Sequence, residues 1–349
     1  MRYFVTSSKD ASIYTDYPNQ NAGRDQVLDL FKYETSEVAK SSRILIEFDF
    51  TNVSQSIVDG VITNPTFSLD LKTTLARELG SDFVLSVHPI SQSWDVGLGK
   101  RQDNPKTTDG VSYRFRDILN GSNWDTSGSD FLSTPSASLV FGTETNDATF
   151  DITNIVNSYL DGTITNYGLL VRFSGSYETD GVNYGEINFY SSETNTIYRP
   201  KIIVEWDDKS FVTGSLTEIT DEDTFLTIKG LKREYKANTQ YKFRLHTRSM
   251  YPTLTYTTGS VYSSVNYIPT GSMYSIVDNV TDEIIVPFSS NSQLSVDSSG
   301  NYFNQNFEGW EAERFYRILF KIDDGTSNYQ IIDKNFVFKL VEWNGLQSF

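Results

Sequence analysis

Two Trp–Asp pairs, Trp94-Asp95 and Trp124-Asp125, are the residues whose types best fit a recognition chemistry. An indole covers the C–H face of a sugar ring while a neighbouring carboxylate accepts its hydroxyl hydrogen bonds, so such pairs on clustered loops make a glycan-contact site. The plainer reading gives both tryptophans to the end of a sandwich core and both aspartates to turns. A second set, Asp16, Asn19, Asn21, Asp25 and Asp29, offers the oxygen donors that a Ca²⁺ loop needs, with Asp16, Asn21 and Asp25 as weak metal candidates. Their spacing is not that of an EF-hand loop, and Asn/Asp clusters also build turns.

Little else in the chain could do covalent chemistry. There is no cysteine, which excludes disulfides and thiolate metal sites, and the two histidines are His88 and His246. No Gly-x-Ser-x-Gly elbow, phosphate-binding Gly-Lys-Ser/Thr loop or His-Glu-x-x-His helix is present. Paired carboxylates can be found in any chain with 45 acidic residues, so they do not argue for hydrolysis. The expectation is a protein that is not an enzyme and uses no cofactor. A net charge of −16 argues against a nucleic-acid groove, which needs clustered Lys and Arg. No apolar run is long enough for a membrane span. The opening Met1–Asp10 lacks the apolar centre of a secretory signal, so the chain is expected to be made and kept in a cytoplasm.

The elements that must position these residues read as β. Aromatics reach 14%, with 21 Tyr and 23 Phe against 3 Met, set between Gly, Asn, Asp and Ser turns. Runs of period two mark strands with one wet face: Arg43–Phe50 with Ile44, Ile46, Phe48 and Phe50 inward, then Thr66–Leu71, Asp82–Val87 and Lys201–Trp206. Helical spacing occurs over Ile152–Leu160, with Asp151 or Thr153 as cap and Asp161-Gly162 as stop. A second short helix is expected around Leu71–Glu78. An ion pair from Glu193 to Arg199 or Arg43 would tie the last strand to the sandwich.

Length calls for two or three domains, and Asp207-Asp208-Lys209-Ser210 is the best boundary. It divides 1–207 from an immunoglobulin-like β region, 208–349, which divides again into a linking unit 208–259 and a terminal sandwich 260–349. The strands expected there are Met273–Val277, Glu283–Phe288, Asn301–Phe307, Phe315–Ile322 and Phe336–Val341. Asn238-Thr-Gln-Tyr-Lys-Phe-Arg-Leu and Glu313-Arg-Phe-Tyr-Arg-Ile-Leu-Phe echo each other, which two small β units or one composite unit would explain. The closing Trp343-Asn-Gly-Leu-Gln-Ser-Phe349 reads as an interface tail or a frayed end.

Two resemblances add to this reading. Pro18-Asn-Gln-Asn-Ala-Gly23, Arg43 with Phe48-Asp49, Trp94-Asp-Val-Gly97, Trp124 with Gly128-Ser-Asp-Phe131, Asp151-Ile-Thr153, Gly162–Gly168 and Ser191–Lys201 follow one another in a pattern that resembles the DNRLRE-type β-sandwich domains, relatives of carbohydrate-binding modules. Insertions near Val58–Pro65 and Gly99–Val111 depart from that pattern, and the signature that names the family is absent. The resemblance implies a jelly-roll-like display domain. The segments Ser272–Asp278, Thr281–Phe288, Ser295–Phe303 and Glu313–Arg317 resemble modules in virion proteins of tailed phages, including those of marine cyanobacteria.

Together these lead to an all-β chain, a jelly-roll-like sandwich followed by an immunoglobulin-like one, with a structural role in a virion. A neck, tail or decorating position is expected. The partners would be copies of itself and other virion proteins, with no nucleic acid and no membrane. The alternative is an adhesin or fibre module contacting a host surface glycan, which requires Trp94 or Trp124 to be exposed. A third reading, a polysaccharide-cleaving enzyme, requires a deep cleft with two facing carboxylates.

Overall fold

The computed structural model describes residues 1–34, 39–219, 223–251, 265–323 and 329–342. The tail 343–349 lies outside the described residues. The protein is nearly all β, with 46% strand and 7% helix. It forms two compact units, one of Phe4–Val61 and Thr66–Val204 and the other of Met1–Tyr3, Ile62–Pro65 and Glu205–Phe349.

The N-terminal unit is built on β1 (Arg2–Tyr14), β2 (Val27–Glu34), β3 (Ala39–Phe48), helix α1 (Thr51–Val58), β4 (Thr66–Leu71), β5 (Thr73–Arg77) and β6 (Phe83–Pro89). It continues through β7 (Phe115–Asp117), β8 (Ser122–Asn123), β9 (Ala137–Phe141), β10 (Ala148–Asp151), helix α2 (Thr153–Leu160), β11 (Leu169–Phe173), β12 (Gly185–Tyr190) and β13 (Lys201–Glu205). The sheet order is β10-β4-β13-β1-β3-β11-β6-β9, and a second run continues from β3 through β2 and β12 to β5. Strand β3 serves both runs: Ala39–Ser41 pair with β2, whereas Ser42–Phe48 pair with β1. Ile44, Ile46 and Phe48 point into the sandwich as the alternation requires, joined by Leu169 and Val171 of β11 and by Leu85 and Val87 of β6.

The expected wet face of β3 is not wet. Leu45 is buried as completely as its neighbours, because the long connection after β6 folds over the outer side of the sheet. One helix expectation is also corrected, one helix is new, and one is found where expected. Thr73–Arg77 is an edge strand on β12, not a helix, since pairing to β12 and β-branched Thr73 and Thr74 outweigh a weak helical pattern. Thr51–Val58, unassigned from the sequence, is helical, with the Asp49 carboxylate accepting the Thr51 N–H. The other helix begins at Thr153, where Asp151 accepts the Thr153 N–H, and ends at Asp161 before Gly162 at φ +77°.

The C-terminal unit holds β14 (Thr217–Glu218), β15 (Thr224–Lys229), β16 (Glu234–Lys236), β17 (Gln240–Ser249), β18 (Asn266–Tyr267), β19 (Met273–Asp278), β20 (Ile284–Val286), β21 (Ser295–Asp297), β22 (Gly300–Asn306), β23 (Phe315–Asp323) and β24 (Tyr329–Val341). One sheet is β15-β17-β22-β21 and the other is β16-β24-β23-β19-β20. Strands from before and after residue 259 share both sheets, so the two echoing segments are strands β17 and β23 of one composite sandwich. Aromatic rings join the sheets: Phe303 lies 4.9 Å from Phe243 in its own sheet, and 4.1 Å from Tyr274 and 6.2 Å from Phe320 in the other. The Met1 ammonium, also in this unit, donates to the Trp206 and Asn291 carbonyls, and Tyr3 packs edge-on against Trp206.

One carboxylate sits among the inward residues of the N-terminal sandwich. Asp10 lies across from Ile46 and is 1% exposed. It accepts bonds from Ser192 N, Ser192 Oγ and Ser7 Oγ but meets no cation. Burial therefore raises its pKa from 3.8 to about 6, against the pull of those bonds. A raised folded-state value makes its contribution full below the unfolded pKa and lost as pH rises through the folded one. Asp10→Asn should therefore stabilise the protein at pH 7.5, by about 3 kcal/mol at most, and confer little benefit below pH ~4. Urea unfolding at both pH values checks this, and an equal effect at the two would sink the assignment.

Candidate functional site

The loops that carry the sequence motifs form a layer over the outer face of the β1-β3-β11 sheet. Directly paired residues Ala11, Leu45 and Leu170 make an apolar stripe on that face. Trp94, Val111, Trp124 and Ile90 cover it, with Val96, Tyr113, Phe131 and Tyr167 at the margin. Trp94 is 5% exposed and Trp124 4%. Each indole N–H is bonded, Trp94 Nε1 to the Tyr167 carbonyl at 2.9 Å and Trp124 Nε1 to the Ser112 carbonyl at 3.0 Å. Lys9 Nζ stands 4.5 Å from the Trp94 ring centre and donates to the Trp94 carbonyl. The two tryptophans thus share one apolar cluster, with neither ring presented to solvent.

Their aspartates are exposed and serve the same loops. Asp125 accepts from Gln92 Nε2, and its own N–H is held by Asp130. The Asp95 N–H donates to the Arg116 carbonyl. The arrangement fastens chain to chain and presents no aromatic platform beside a carboxylate.

Asn21 ties the layer together. Its side chain is fully buried and fully used: Nδ2 donates to the Val96 and Val111 carbonyls, both at 2.8 Å, and Oδ1 accepts from Gly23 N and Gly99 N. Gly97 and Gly110, both at positive φ, pass so close that a Cβ on Gly110 would meet the Gly97 Cα at 2.3 Å. The Pro-Asn-x-Asn-x-Gly and Trp-Asp-x-Gly motifs therefore meet at one crossing of three loops.

Asp29 and Asp25 of the proposed calcium set are likewise engaged. Asp29 accepts from Tyr14 OH, Arg101 NH1 and Asn188 Nδ2, and burial pushes its pKa up despite them. Asp25 accepts the Arg101 N–H, and its pKa is also raised by burial. Arg101, with its guanidinium 4.5 Å from the Tyr14 ring, replaces a metal as the counter-charge. Asp16 Oδ1 is buried without a partner. Among the described residues no cluster of three or more His, Asp or Glu is placed to hold a metal ion.

The expected ion pairs differ too. Glu193 pairs with Arg24 at 2.7 Å, because the turn after β12 lies beside the 18–24 loop. Arg43, on the outward side of β3, meets Glu178 at 2.7 Å, and Glu178 also takes Arg172. Arg43 NH1 donates to the Gly128 carbonyl, so this pair anchors the loop layer. His88 packs at a tilt against Phe131 with ring centres 4.9 Å apart, and burial lowers its pKa.

Two depressions stand out among the described residues. One of about 650 Å³ in the C-terminal unit is lined by Asn238, Thr239, Trp310, Glu311 and Glu342 among others. The other, about 410 Å³, lies in the N-terminal unit between the start of α1 and the end of α2. It is lined by Asp49, Phe50, Thr51, Ser54, Gln55, Tyr159, Leu160 and Asn166. The sequence reading missed this groove, and the one available signal was Asp49-x-Thr51, a side-chain-capped helix start.

No family model matches the chain, and no curated protein matches it. Among solved structures, the crystal structure of the botulinum neurotoxin serotype D/C VPI 5993 binding domain aligns with 93% of this chain and 67% of that chain, at 9% identity and a TM-score of 0.17. A likeness at that level carries no argument about fold or function. No helix among the described residues is long and apolar enough to cross a membrane.

If the loop layer is structural, its substitutions cost stability. Trp94→Ala and Trp124→Ala should each lower unfolding free energy by about 3 to 5 kcal/mol. Asn21→Ala, which strands four buried partners, should cost a similar amount, about 3 kcal/mol or more. Urea denaturation followed by fluorescence checks all three, and a near-neutral tryptophan variant would return that residue to a surface role.

Proposed function

We propose that this chain is a non-enzymatic structural protein of a tailed-phage virion, placed at the neck or tail or decorating the particle. It would assemble through contacts of its β units with copies of itself and with other virion proteins. The observation that carries this reading over a glycan-contact one is the burial of Trp94 and Trp124 under their own loops. A sugar-binding platform needs such rings in the open. An assembly protein can spend them on rigid loops and make contact elsewhere.

Exposed apolar side chains on strands fit that division of labour. Leu75 on edge strand β5, Val140 on edge strand β9, and Ile284, Phe315, Tyr329 and Ile331 on the five-stranded sheet are between 46% and 63% exposed. Scattered residues of this kind become contact surface when many copies are held in a symmetric array. The virion context itself rests on the C-terminal resemblance, whose segments fall on β19, β20, the β21–β22 hairpin and the start of β23.

Quantitative mass spectrometry of purified particles from the source tests the proposal. A fixed small multiple per particle, matching portal or tail symmetry, is the expected result. Absence of the chain from particles would remove the virion role.

A further inference from the structure

The groove between α1 and α2 is built from groups that keep part of their hydrogen-bonding capacity unused. Asp49 Oδ1 is committed to Thr51 N and Oγ1, which leaves Oδ2 open. Gln55 gives Nε2 to Asp59 and leaves its Oε1 open. Tyr159 donates its hydroxyl to the Gly168 carbonyl and leaves its oxygen lone pairs open. Asn166 spends Nδ2 on the Phe48 carbonyl and Oδ1 on Gly168 N. Among the lining side chains only Ser54 keeps a hydroxyl proton without a partner here. The Gln55 and Asn166 amides each keep a second N–H, so the groove holds some donors as well as acceptors, but its ionised lining group is a carboxylate.

Its charge is one-sided. Asp49 is exposed, and hydrogen bonds from Thr51 hold its pKa below the usual carboxylate range, so it is ionised at neutral pH. Asp161 follows the end of α2 that borders the groove, whereas Asp59 lies at the far end of α1. Lys9 on β1 lies across from Glu47 on β3 and is paired with it at 3.0 Å. No Lys or Arg lines the groove. The C-terminal end of α2 faces it with the negative end of a helix dipole, and Asp49 offsets the positive end of α1. The floor is aromatic and apolar: Tyr159, Leu160 and Phe50, with the Tyr159 and Phe50 ring centres 6.2 Å apart.

A guanidinium has five donors and no acceptor, and it packs flat on an aromatic face. An anion would be repelled by Asp49, and a neutral ligand would leave that carboxylate without a counter-charge. We propose that this groove is a socket for a basic side chain, arginine above lysine, presented by a partner polypeptide. The partner arginine would pair with Asp49 Oδ2 and rest on Tyr159. This deepens the assembly reading by naming the chemistry of one contact.

The test uses the intact chain and saturation-transfer NMR. The probes are Nα-acetyl-arginine methylamide and Nα-acetyl-lysine methylamide, with Nα-acetyl-glutamine methylamide and methyl glucoside as comparisons. The basic probes should bind, the neutral ones should not, and high salt should weaken binding. Asp49→Asn keeps an acceptor for Thr51 N and so preserves the helix start; it should weaken the arginine probe at least fivefold. Gln55→Ala should weaken it less. No signal from the basic probes, or an arginine signal unchanged in Asp49→Asn, overturns the socket. A salt-independent signal from methyl glucoside that is lost in the variant overturns it in favour of a sugar site. The particle measurement fails independently: a chain absent from virions but with a working socket loses the virion role and keeps this one.

Discussion

The N-terminal unit depends on one demand, that the outer face of its central strands be kept from water. Ala11, Leu45 and Leu170 are paired neighbours on that face, and the opposite face of the same strands is already the sandwich core. A sheet apolar on both sides needs a third layer, usually of helices. Here the layer is loop, with short β7 and β8 its only regular pieces. Loop backbone carries polar groups that need partners when buried. That is why the layer is dense in side-chain-to-backbone bonds, from Asn21, Arg43, Lys9 and both indoles.

The buried charges follow from the same demand. Glu178 between Arg43 and Arg172, and Asp29 with Arg101, Tyr14 and Asn188, each fasten a connecting segment to a strand. Removing one partner of such a group leaves the other desolvated, so these contacts fix where the loops lie more than they add net stability. Asp10 is the exception, held by hydroxyls and a backbone N–H with no cation. The C-terminal unit solves its own problem differently, with stacked and edge-on aromatics filling the space between two sheets.

Much of this was legible in the sequence, and the rest fails for nameable reasons. Period-two runs located β3, β4, β6 and β13 to within a few residues, and the strands expected from 273 onward fall on β19, β20, β22, β23 and the end of β24. Reading Arg43–Phe50 as a period-two strand with one wet face overlooks Leu45 between Ile44 and Ile46. Three consecutive aliphatics, repeated in Leu169-Leu170-Val171, are the mark of a strand buried on both faces. The tryptophan motifs were read correctly as loops, but spacing cannot show on which side of a ring the sheet lies. Arg101 as partner of Asp29 comes from an insertion far along the chain, which no local pattern announces. Helix α1 escaped because Val53 is its one buried residue, too little for a period to show.

The location of open capacity follows from how the loops are used. A side chain that holds a loop by its polar atoms has none left for a ligand. Asn21 uses four bonds, Trp94 and Trp124 use their N–H groups, and Asp29 is shared by three donors. The residues at the α1–α2 groove hold their helices with only part of their capacity, since Asp49 closes a helix start through one oxygen and Gln55 bonds through one end of its amide. Charge alone attracts a cation without fixing its position, and a ring alone fixes a plane without choosing a charge. Asp49 with Tyr159 supplies both at one place, which is why contact chemistry belongs at the helix groove and the loop motifs belong to the fold.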